Sequence, residues 1–206
     1  KGGQSGNGDG NADKPTVTTT KPAASNVITT DATPYQSGGV YIVGNAGYEM
    51  YNYVGSLAEK YQSTVNAVAD SLSGVSNVYA MAIPLSSSIT LPDSLLSDIP
   101  GSDQAQAEKD ILAGMGQNIK TVPLHDALNA HRTEYIYFRT DHHWTWYGAH
   151  TAYKALLPDG KYAASPELFS DSFLGTTYSK TLDPAAKCDG VYISPVSDNL
   201  RVTADG

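Results

Sequence analysis

The chain has 206 residues, a length that indicates one domain with an additional tail. Its 13 Lys and Arg residues stand against 21 Asp and Glu residues, a net charge of −8, which argues against a nucleic-acid-binding protein because such a protein needs a basic face. The lone Cys188 excludes an internal disulfide and a cysteine-based zinc site. No apolar run approaches the roughly 20 residues that span a bilayer.

Residues 1–39 consist mainly of Gly, Ser, Thr, Asn, Asp, Pro and Ala, with almost no large apolar side chains. Such a segment cannot bury enough surface to offset the entropy lost on ordering it. We interpret it as a flexible low-complexity tether, followed by one folded domain over residues 40–206. Two interpretations of the tether stay open: a disordered terminus without a function of its own, and a spacer from a membrane or cell-wall anchor.

The first half of the domain alternates short apolar runs with helical patterns. β-Branched and aromatic residues predict a strand over residues 40–43, which a Gly-rich turn over residues 44–47 ends. Apolar residues at helical spacing predict a helix over residues 61–72. Residues 78–83 form a continuous apolar run that ends at Pro84. A strand that is apolar on both faces is typical of a buried parallel sheet, so this run predicts such a sheet.

The second half of the domain continues this alternation. After a Ser- and Pro-rich loop, the pattern predicts a helix over residues 103–115, a strand over 119–122 and a short helix over 124–131. A strand over residues 135–138 follows. Thr145 is then predicted to cap a helix that ends near residue 156. Residues 170–180 are typical of a loop, and residues 190–196 of one short strand. Strands and helices in alternation predict an α/β layered domain with a mostly parallel sheet.

Residues 137–149 contain the densest set of chemically active side chains, with a carboxylate, two of the five histidines and both tryptophans. They connect a predicted strand to a predicted helix, and in parallel α/β sheets ligands bind in such loops. An Asp close to a His is the base-orienting half of a nucleophilic hydrolase, in which the carboxylate fixes the imidazole tautomer and stabilises its positive charge. On spacing alone, histidines that merely cap the helix or pack on Trp144 are an open alternative.

The stretch YFRTDHHWTWYGAHTAYKAL, residues 137–156, closely resembles the signature after which the bacterial DHHW protein family is named. That family is similar to SGNH-hydrolase-like proteins and to alginate O-acetyltransferases, whose corresponding motif is Asp-x-His-Trp-(Ser/Thr). The resemblance extends over residues 40–196 and implies a three-layer, flavodoxin-like SGNH-hydrolase fold. It also implies that Asp141 orients His143 as the catalytic pair, and that the chemistry needs neither a cofactor nor a metal ion.

The nucleophile is the point at which this chain departs from the family pattern. In these relatives a serine follows the Asp-x-His motif, in a Gly-Thr-Ser-Tyr-Ser or Lys-Asp-Ser-Tyr segment just beyond an apolar strand. FLGTTYSK, residues 173–180, resembles the first segment, but Thr177 occupies the position of the serine and no strand is predicted before it. Ser179, two residues later, is the candidate nucleophile in this chain.

Three alternatives stay open for the nucleophile. Ser179 or Thr177 attacks the substrate, or catalysis is lost, or the domain is incomplete at its C-terminus and stops before the strand that carries the serine. The missing strand predicts that neither hydroxyl reaches His143, and that this chain is weakly active or inactive.

Five side chains are candidates for binding the substrate, each with a structural alternative. His142 lies inside the Asp-x-His motif, Trp144 offers an aromatic surface, and Arg139 can bind an anionic group or pair with a carboxylate. Asn45 is in a predicted turn and can donate to an oxyanion, whereas turn asparagines usually serve the backbone. Thr177 completes this set.

Two further groups of polar residues lie outside that set. Ser86, Ser87 and Ser88 follow a predicted strand and can line a pocket. His125 precedes Asp126, and it either caps a short helix or takes part in a site.

The sequence supports three functional hypotheses. The first is an exported O-acyl esterase or O-acetyltransferase, extracellular or attached to the cell envelope, that acts as a monomer on a carbohydrate or an acylated small molecule. The second is a non-catalytic carbohydrate-binding or scaffold domain of the same fold. The third is a metal-dependent phosphoesterase, since Asp141-His142-His143 forms an Asp-His-His triplet, although the further Asp and His ligands that such a site needs are not evident. No nucleic-acid partner is expected, and the tether is the candidate anchor to a membrane or cell wall.

Overall fold

The computed structural model describes residues 33–160 and 165–194, which form a mixed α/β structure with small sheets. The α/β class predicted from the sequence is confirmed. The strands are β1 Tyr35–Ser37, β2 Val40–Val43, β3 Ala46–Glu49, β4 Val78–Ala80, β5 Ile119–Thr121, β6 Glu167–Phe173 and β7 Asp189–Ile193. The helices are α1 Gly55–Ser71, α2 Ser86–Ile89, α3 Gln104–Ala113, α4 His125–Asn129, α5 Trp146–Leu156 and α6 Thr176–Thr181, with a short 3-10 helix at Asp93–Leu95.

Strands β1, β2 and β3 form an antiparallel sheet around the fully buried β2. Gly44, with a φ of 60°, begins the tight turn between β2 and β3, a position where two-residue hairpins favour glycine. The sequence placed residues 35–37 in the tether, and this boundary is wrong because they pair with β2. Residues 1–32 of the predicted tether lie outside the described residues.

Strands β4 and β5 form a parallel pair, with Val78 opposite Ile119. Helix α1 covers this pair, and Ala69, Ala80 and Ile119 form a small buried cluster between them. The apolar run over residues 78–83 is a strand only up to Ala80, and Ile83 is 54% exposed. Among the described strands the other two sheets are antiparallel, so a mostly parallel sheet is not confirmed.

The segment predicted as a strand over residues 135–138 belongs instead to a loop that folds back on itself. An isolated antiparallel bridge joins Tyr137 to Trp144, and the Thr145 amide donates to the Ile136 carbonyl at 2.9 Å. Ile136 and Tyr137 are buried in the core between α4 and α5, which explains why the segment is apolar without being in a sheet. We call residues 137–144 the 137–144 loop; helix α5 follows it, capped by the Thr145 hydroxyl as predicted.

The prediction from the sequence is also wrong for the segment after residue 165. Strands β6 and β7 pair antiparallel, and α6 follows β6, although residues 170–180 were predicted to be a loop. Most side chains of β6 are exposed, so no alternation of apolar and polar residues marks the strand. Thr177 is the buried side chain of α6, and it packs against Gly47 of β3. The predicted strand over residues 190–196 corresponds to β7, with residues 195–196 outside the described part of the chain.

Asp189, at the start of β7, holds the base of the 137–144 loop although its side chain is almost completely buried. Its Oδ1 accepts the Tyr135 hydroxyl at 2.9 Å. Its Oδ2 accepts the amides of Arg139 and Thr140 and the Thr140 hydroxyl at 3.0, 2.8 and 2.7 Å. Among the helices of the described residues, none has the length and apolar character that crossing a bilayer requires.

The substitution Asp189→Ala removes the acceptor for four donors that are shielded from water. We expect it to lower the free energy of unfolding by about 3 kcal/mol or more, since an unsatisfied buried donor costs about 1–3 kcal/mol. Asp171→Ala removes an exposed carboxylate from the paired strand β6 and serves as the control, with a change within about 0.5 kcal/mol. Urea denaturation measures the free energy of unfolding of both variants. Equal losses in the two variants would contradict the role of Asp189 in holding the loop.

Candidate active site

The turn of the 137–144 loop is anchored on both sides. The Phe138 amide donates to the His143 carbonyl at 3.2 Å, which closes the loop across residues 139–142. The Gly47 amide of β3 donates to the Arg139 carbonyl at 2.9 Å, which ties the loop to the antiparallel sheet. The acidic and imidazole side chains of the loop therefore project from a fixed backbone.

Asp141 and His143 form a hydrogen-bonded pair within this loop. Asp141 Oδ1 accepts from His143 Nδ1 at 2.6 Å and from the His143 backbone amide at 2.9 Å. The Asp141 side chain is 5% exposed, whereas the His143 side chain is 64% exposed. Because the carboxylate accepts at Nδ1, neutral His143 carries its proton there and keeps a lone pair on Nε2, the nitrogen on the open side of the ring. This is the orientation of a general base.

The second oxygen of Asp141 is held by the start of helix α6. Oδ2 accepts from the Thr176 amide at 2.8 Å and from the Thr176 hydroxyl at 3.0 Å. Burial acts to raise the pKa of Asp141, but the hydrogen bonds from Thr176 and His143 outweigh it and lower the pKa to about 2. Asp141 is therefore ionised at any physiological pH.

Gly175 allows α6 to approach this close to Asp141. A Cβ added to Gly175 would lie 2.4 Å from Asp141 Cβ and 2.5 Å from Oδ2, far inside van der Waals contact. The Gly175 amide also donates to the Thr140 hydroxyl at 3.2 Å. The glycine thus joins two parts of the site that are more than 30 residues apart in sequence.

His142 lies beside the pair and contacts the same threonine. Its Nδ1 is 2.7 Å from the Thr176 hydroxyl oxygen, and because that hydroxyl donates its hydrogen to Asp141, His142 Nδ1 is the donor. The rings of His142 and His143 are in contact in a tilted arrangement, with centroids 3.9 Å apart and planes inclined by 37°. Glu49, which pairs with Lys180, has a carboxylate oxygen 3.9 Å from His142 Nδ1.

The two predicted nucleophiles are not joined to the pair. Ser179 lies one turn further along α6, where its hydroxyl donates to the Gly175 carbonyl at 3.2 Å. The Thr177 side chain is buried against Gly47, and its Oγ1 has no hydrogen-bond partner among the described residues. Neither hydroxyl is hydrogen-bonded to His143 in the described structure, so the assignment of Ser179 as the nucleophile has no support in this geometry.

Among the predicted substrate-binding residues, His142 alone contacts the pair in the described part of the chain. Asn45, Arg139 and Thr177 instead line a separate cavity of about 10 Å³, which has room for a single water at most. Trp144 is half-buried and packs against the core between α4 and α5. Of these four residues, Asn45 lies in the β2–β3 turn, Thr177 in α6, and the other two in the 137–144 loop.

Sequence reasoning missed Thr176, Glu49 and Asp189. Thr176 supplies two hydrogen bonds to Asp141 and one contact to His142. The signal for Thr176 is the Gly-Thr pair of the FLGTTYSK stretch, which matches the family segment one residue before Thr177. Glu49 and Asp189 carry no local signal, since long-range contacts bring them to the loop.

Asp141, His142 and His143 also form a cluster that could hold a metal ion, with potential ligand atoms within 4.8 Å of one another. However, each Asp141 oxygen already accepts two hydrogen bonds, and both Nδ1 atoms are engaged with Asp141 or Thr176. A metal ion at Asp141 would have to displace these donors. The donor set therefore fits a carboxylate that orients an imidazole better than it fits a metal centre.

The substitution Gly175→Ala forces a methyl group against Asp141. We expect it to lower the free energy of unfolding by about 1–3 kcal/mol, because neither the backbone nor the short aspartate side chain can move away freely. Gly55→Ala, at the start of α1, is the matched control: nothing lies within 4 Å of its added Cβ, and we expect no loss of stability. Thermal denaturation of both variants tests this, and a fully stable Gly175→Ala would show that the contact is loose.

Comparisons with known proteins show the family and the fold of this chain. The DHHW protein family matches residues 10–193 of the chain, whereas no curated protein sequence gives a significant match. Solved structures with a similar fold include a DHHW family protein from Eubacterium siraeum, with a TM-score of 0.65 and 25% identity, covering 80% of this chain and 57% of that one.

Bacillus cereus PatB1 is similar in fold at lower identity. Its structure with a sulfonyl adduct gives a TM-score of 0.57 at 17% identity, covering 77% of this chain and 56% of PatB1. A second PatB1 structure gives 0.52 at 15% identity, covering 79% and 58%. The chain thus spans somewhat more than half the length of these solved relatives. With most of its length matched and the DHHW signature at the tip of the 137–144 loop, the chain belongs to the DHHW protein family.

Proposed function

We propose that this chain is the base-carrying part of an exported O-acyl esterase or O-acetyltransferase that acts on a carbohydrate of the cell envelope or outside the cell. The observation that carries the proposal is the 2.6 Å hydrogen bond between His143 Nδ1 and the buried, ionised Asp141. Family membership, the similarity to PatB1 in fold and the resemblance to alginate O-acetyltransferases support it. The proposal includes a three-layer SGNH-like arrangement for the complete domain.

The mechanism uses His143 as a shuttle for one proton. A serine hydroxyl attacks the acyl carbonyl carbon, the bond from oxygen to carbon forms, and the serine proton passes to His143 Nε2. The positive imidazole is stabilised by Asp141, which stays ionised because its pKa is about 2. The tetrahedral intermediate then collapses, the bond to the leaving hydroxyl breaks, and His143 returns the proton to that oxygen.

The acyl group leaves the serine in a second, symmetric half-reaction. Water or a sugar hydroxyl loses its proton to His143 Nε2 as it attacks, and the serine oxygen recovers that proton. Among the described residues neither Ser179 nor Thr177 is hydrogen-bonded to His143, so the mechanism assigns the attacking hydroxyl to neither of them. His142, which contacts the His143 ring and is held by Thr176, limits the rotation of that ring during both steps.

The exposure of the pair fits a bulky substrate. His143 is 64% exposed at the tip of a loop, so a carbohydrate chain can approach it without entering a closed cavity. The net charge of −8 disfavours a polyanionic partner such as a nucleic acid. We further propose that the protein acts as a monomer and that the residues before β1 connect it to a membrane or cell-wall anchor.

A non-catalytic carbohydrate-binding or scaffold domain is the second candidate. The observation that favours it is that neither Ser179 nor Thr177 is hydrogen-bonded to His143 in the described structure. Hydrolysis of p-nitrophenyl acetate by the protein from its complete reading frame decides between the two. An acyl-transfer enzyme turns the ester over through Asp141 and His143 and loses this rate in Asp141→Asn, whereas a scaffold gives the same rate with and without that substitution. Elemental analysis of the same sample tests the metal-dependent alternative.

In that protein, Asp141→Asn should lower kcat by about 10³–10⁴-fold, because the amide favours the wrong tautomer of His143. KM should change little, since the Asp141 side chain is only 5% exposed and lies behind His143 Nδ1. His131→Ala is the matched histidine control, as that exposed side chain pairs with Glu134 on the surface, and it should keep full activity. Full activity in Asp141→Asn would remove Asp141 and His143 from the mechanism.

Asp141 also predicts a specific response to acid. Its pKa of about 2 lies below the ordinary value of 3.8, so the folded state binds this proton less readily than the unfolded state. The resulting stabilisation is fully present above about pH 4 and is lost as the pH falls towards 2. Between pH 5 and pH 2 the free energy of unfolding, measured by denaturation at each pH, should therefore fall less steeply for Asp141→Asn than for the parent protein. Asp171→Asn, an exposed control, should keep the parent slope; the same slope in all three proteins contradicts the low pKa.

A further inference from the structure

A second pair of side chains with hydrolytic chemistry lies beside a cavity that shares no lining residue with the Asp141–His143 site. The cavity has a volume of about 390 Å³. Ser88 and His125 line it, and Ser88 Oγ is 2.7 Å from His125 Nε2. This distance is that of a serine hydroxyl donating to the imidazole that would remove its proton.

The topology of the parallel pair brings these two residues together. Helix α2, which carries Ser88, follows β4, and helix α4, which begins at His125, follows β5. Because β4 and β5 are parallel neighbours, both helices begin beyond the same edge of the sheet. In open α/β sheets, ligands bind beyond the carboxyl ends of the strands.

His125 is held from its backbone and is largely shielded from water. The buried Glu108 accepts the amides of Leu124 and His125 at 2.6 and 3.1 Å, which fixes the start of α4. The His125 side chain is 15% exposed, and its Nδ1 lies 3.6 Å from a carboxylate oxygen of Asp126. The Asp126 side chain is fully exposed, and the buried Nδ1 has no hydrogen-bond partner among the described residues, so the contact with Ser88 decides the tautomer. With the Ser88 hydroxyl as the donor, the proton lies on Nδ1 and the lone pair on Nε2.

The remaining walls of the cavity indicate what it can hold. Leu91, Leu96 and Ile99 provide an apolar side, and the carboxylate of Asp103 lies on the rim. Ser87 Oγ accepts from Gln104 Nε2 at 3.0 Å, so its own hydrogen is the group that it can donate to a bound carbonyl oxygen. An apolar wall with nearby carboxylates favours a neutral ligand over an anionic one.

We infer that Ser88 and His125 are a second nucleophile–base pair, and that the cavity takes an uncharged ester with a short acyl chain. The Ser88 oxygen bonds to the acyl carbon while its proton moves to His125 Nε2, and the bond to the alcohol breaks as the alcohol takes that proton. Water then attacks the acyl-serine, passes a proton through His125 to Ser88 and releases the carboxylic acid. The inference is independent of the proposed function because it uses neither Asp141 nor His143.

Covalent labelling of the 206-residue chain with phenylmethylsulfonyl fluoride tests the pair, with the modified serine located by peptide mass spectrometry. We expect the label on Ser88, at least about 100-fold faster than on the exposed Ser97 of the same molecule, because a positioned base contributes about 10²–10⁴-fold. This internal comparison needs no variant. A label that is absent from Ser88, or no faster there than on Ser97, overturns the inference.

Two variants separate this pair from the proposed function. His125→Gln should slow the labelling of Ser88 by at least about 10-fold, whereas Asp141→Asn should leave it unchanged. Circular dichroism shows whether His125→Gln is folded. If this variant is unfolded, the labelling rates of Ser88 and Ser97 in the parent chain test the inference. Unchanged Ser88 labelling in a folded His125→Gln would show that His125 is not the base. Loss of labelling in Asp141→Asn would assign the reactivity to the other site.

Discussion

A buried carboxylate must have its oxygen atoms satisfied by hydrogen-bond donors, and this need organises the site around Asp141. Two donors come from His143 in the same loop, and two come from Thr176 at the start of a helix that follows more than 30 residues later. Gly175 makes that approach possible because any side chain there would overlap Asp141. The result is a permanently charged group whose field and geometry fix one tautomer of His143.

The sequence predicted the parts of this arrangement that depend on local pattern. The α/β class followed from alternating apolar and helical segments, and Thr145 was recognised as the cap of α5. The loop between two apolar elements marked residues 137–149 as chemically dense, and the resemblance to the DHHW signature implied that Asp141 orients His143. Their pairing needs only two residues of separation, so no long-range contact had to be known.

What the sequence could not predict depends on contacts between distant segments. Residues 135–138 are apolar because Ile136 and Tyr137 are buried under two helices, a cause that periodicity cannot distinguish from a strand. Helix α6 is polar and short, and its one buried side chain, Thr177, packs on Gly47 of another sheet. The Ser88–His125 contact joins two weak candidates that were considered separately, because only the parallel pairing of β4 with β5 brings them together.

The central claim is that Asp141 holds neutral His143 with its proton on Nδ1, leaving Nε2 as the base. A ¹H–¹⁵N correlation spectrum of the imidazole nitrogens, recorded above the pKa of the ring, reports the tautomer directly. The account predicts a protonated Nδ1 and an unprotonated Nε2 for His143, with a change of tautomer in Asp141→Asn. A parent protein in which His143 carries its proton on Nε2 would contradict the account.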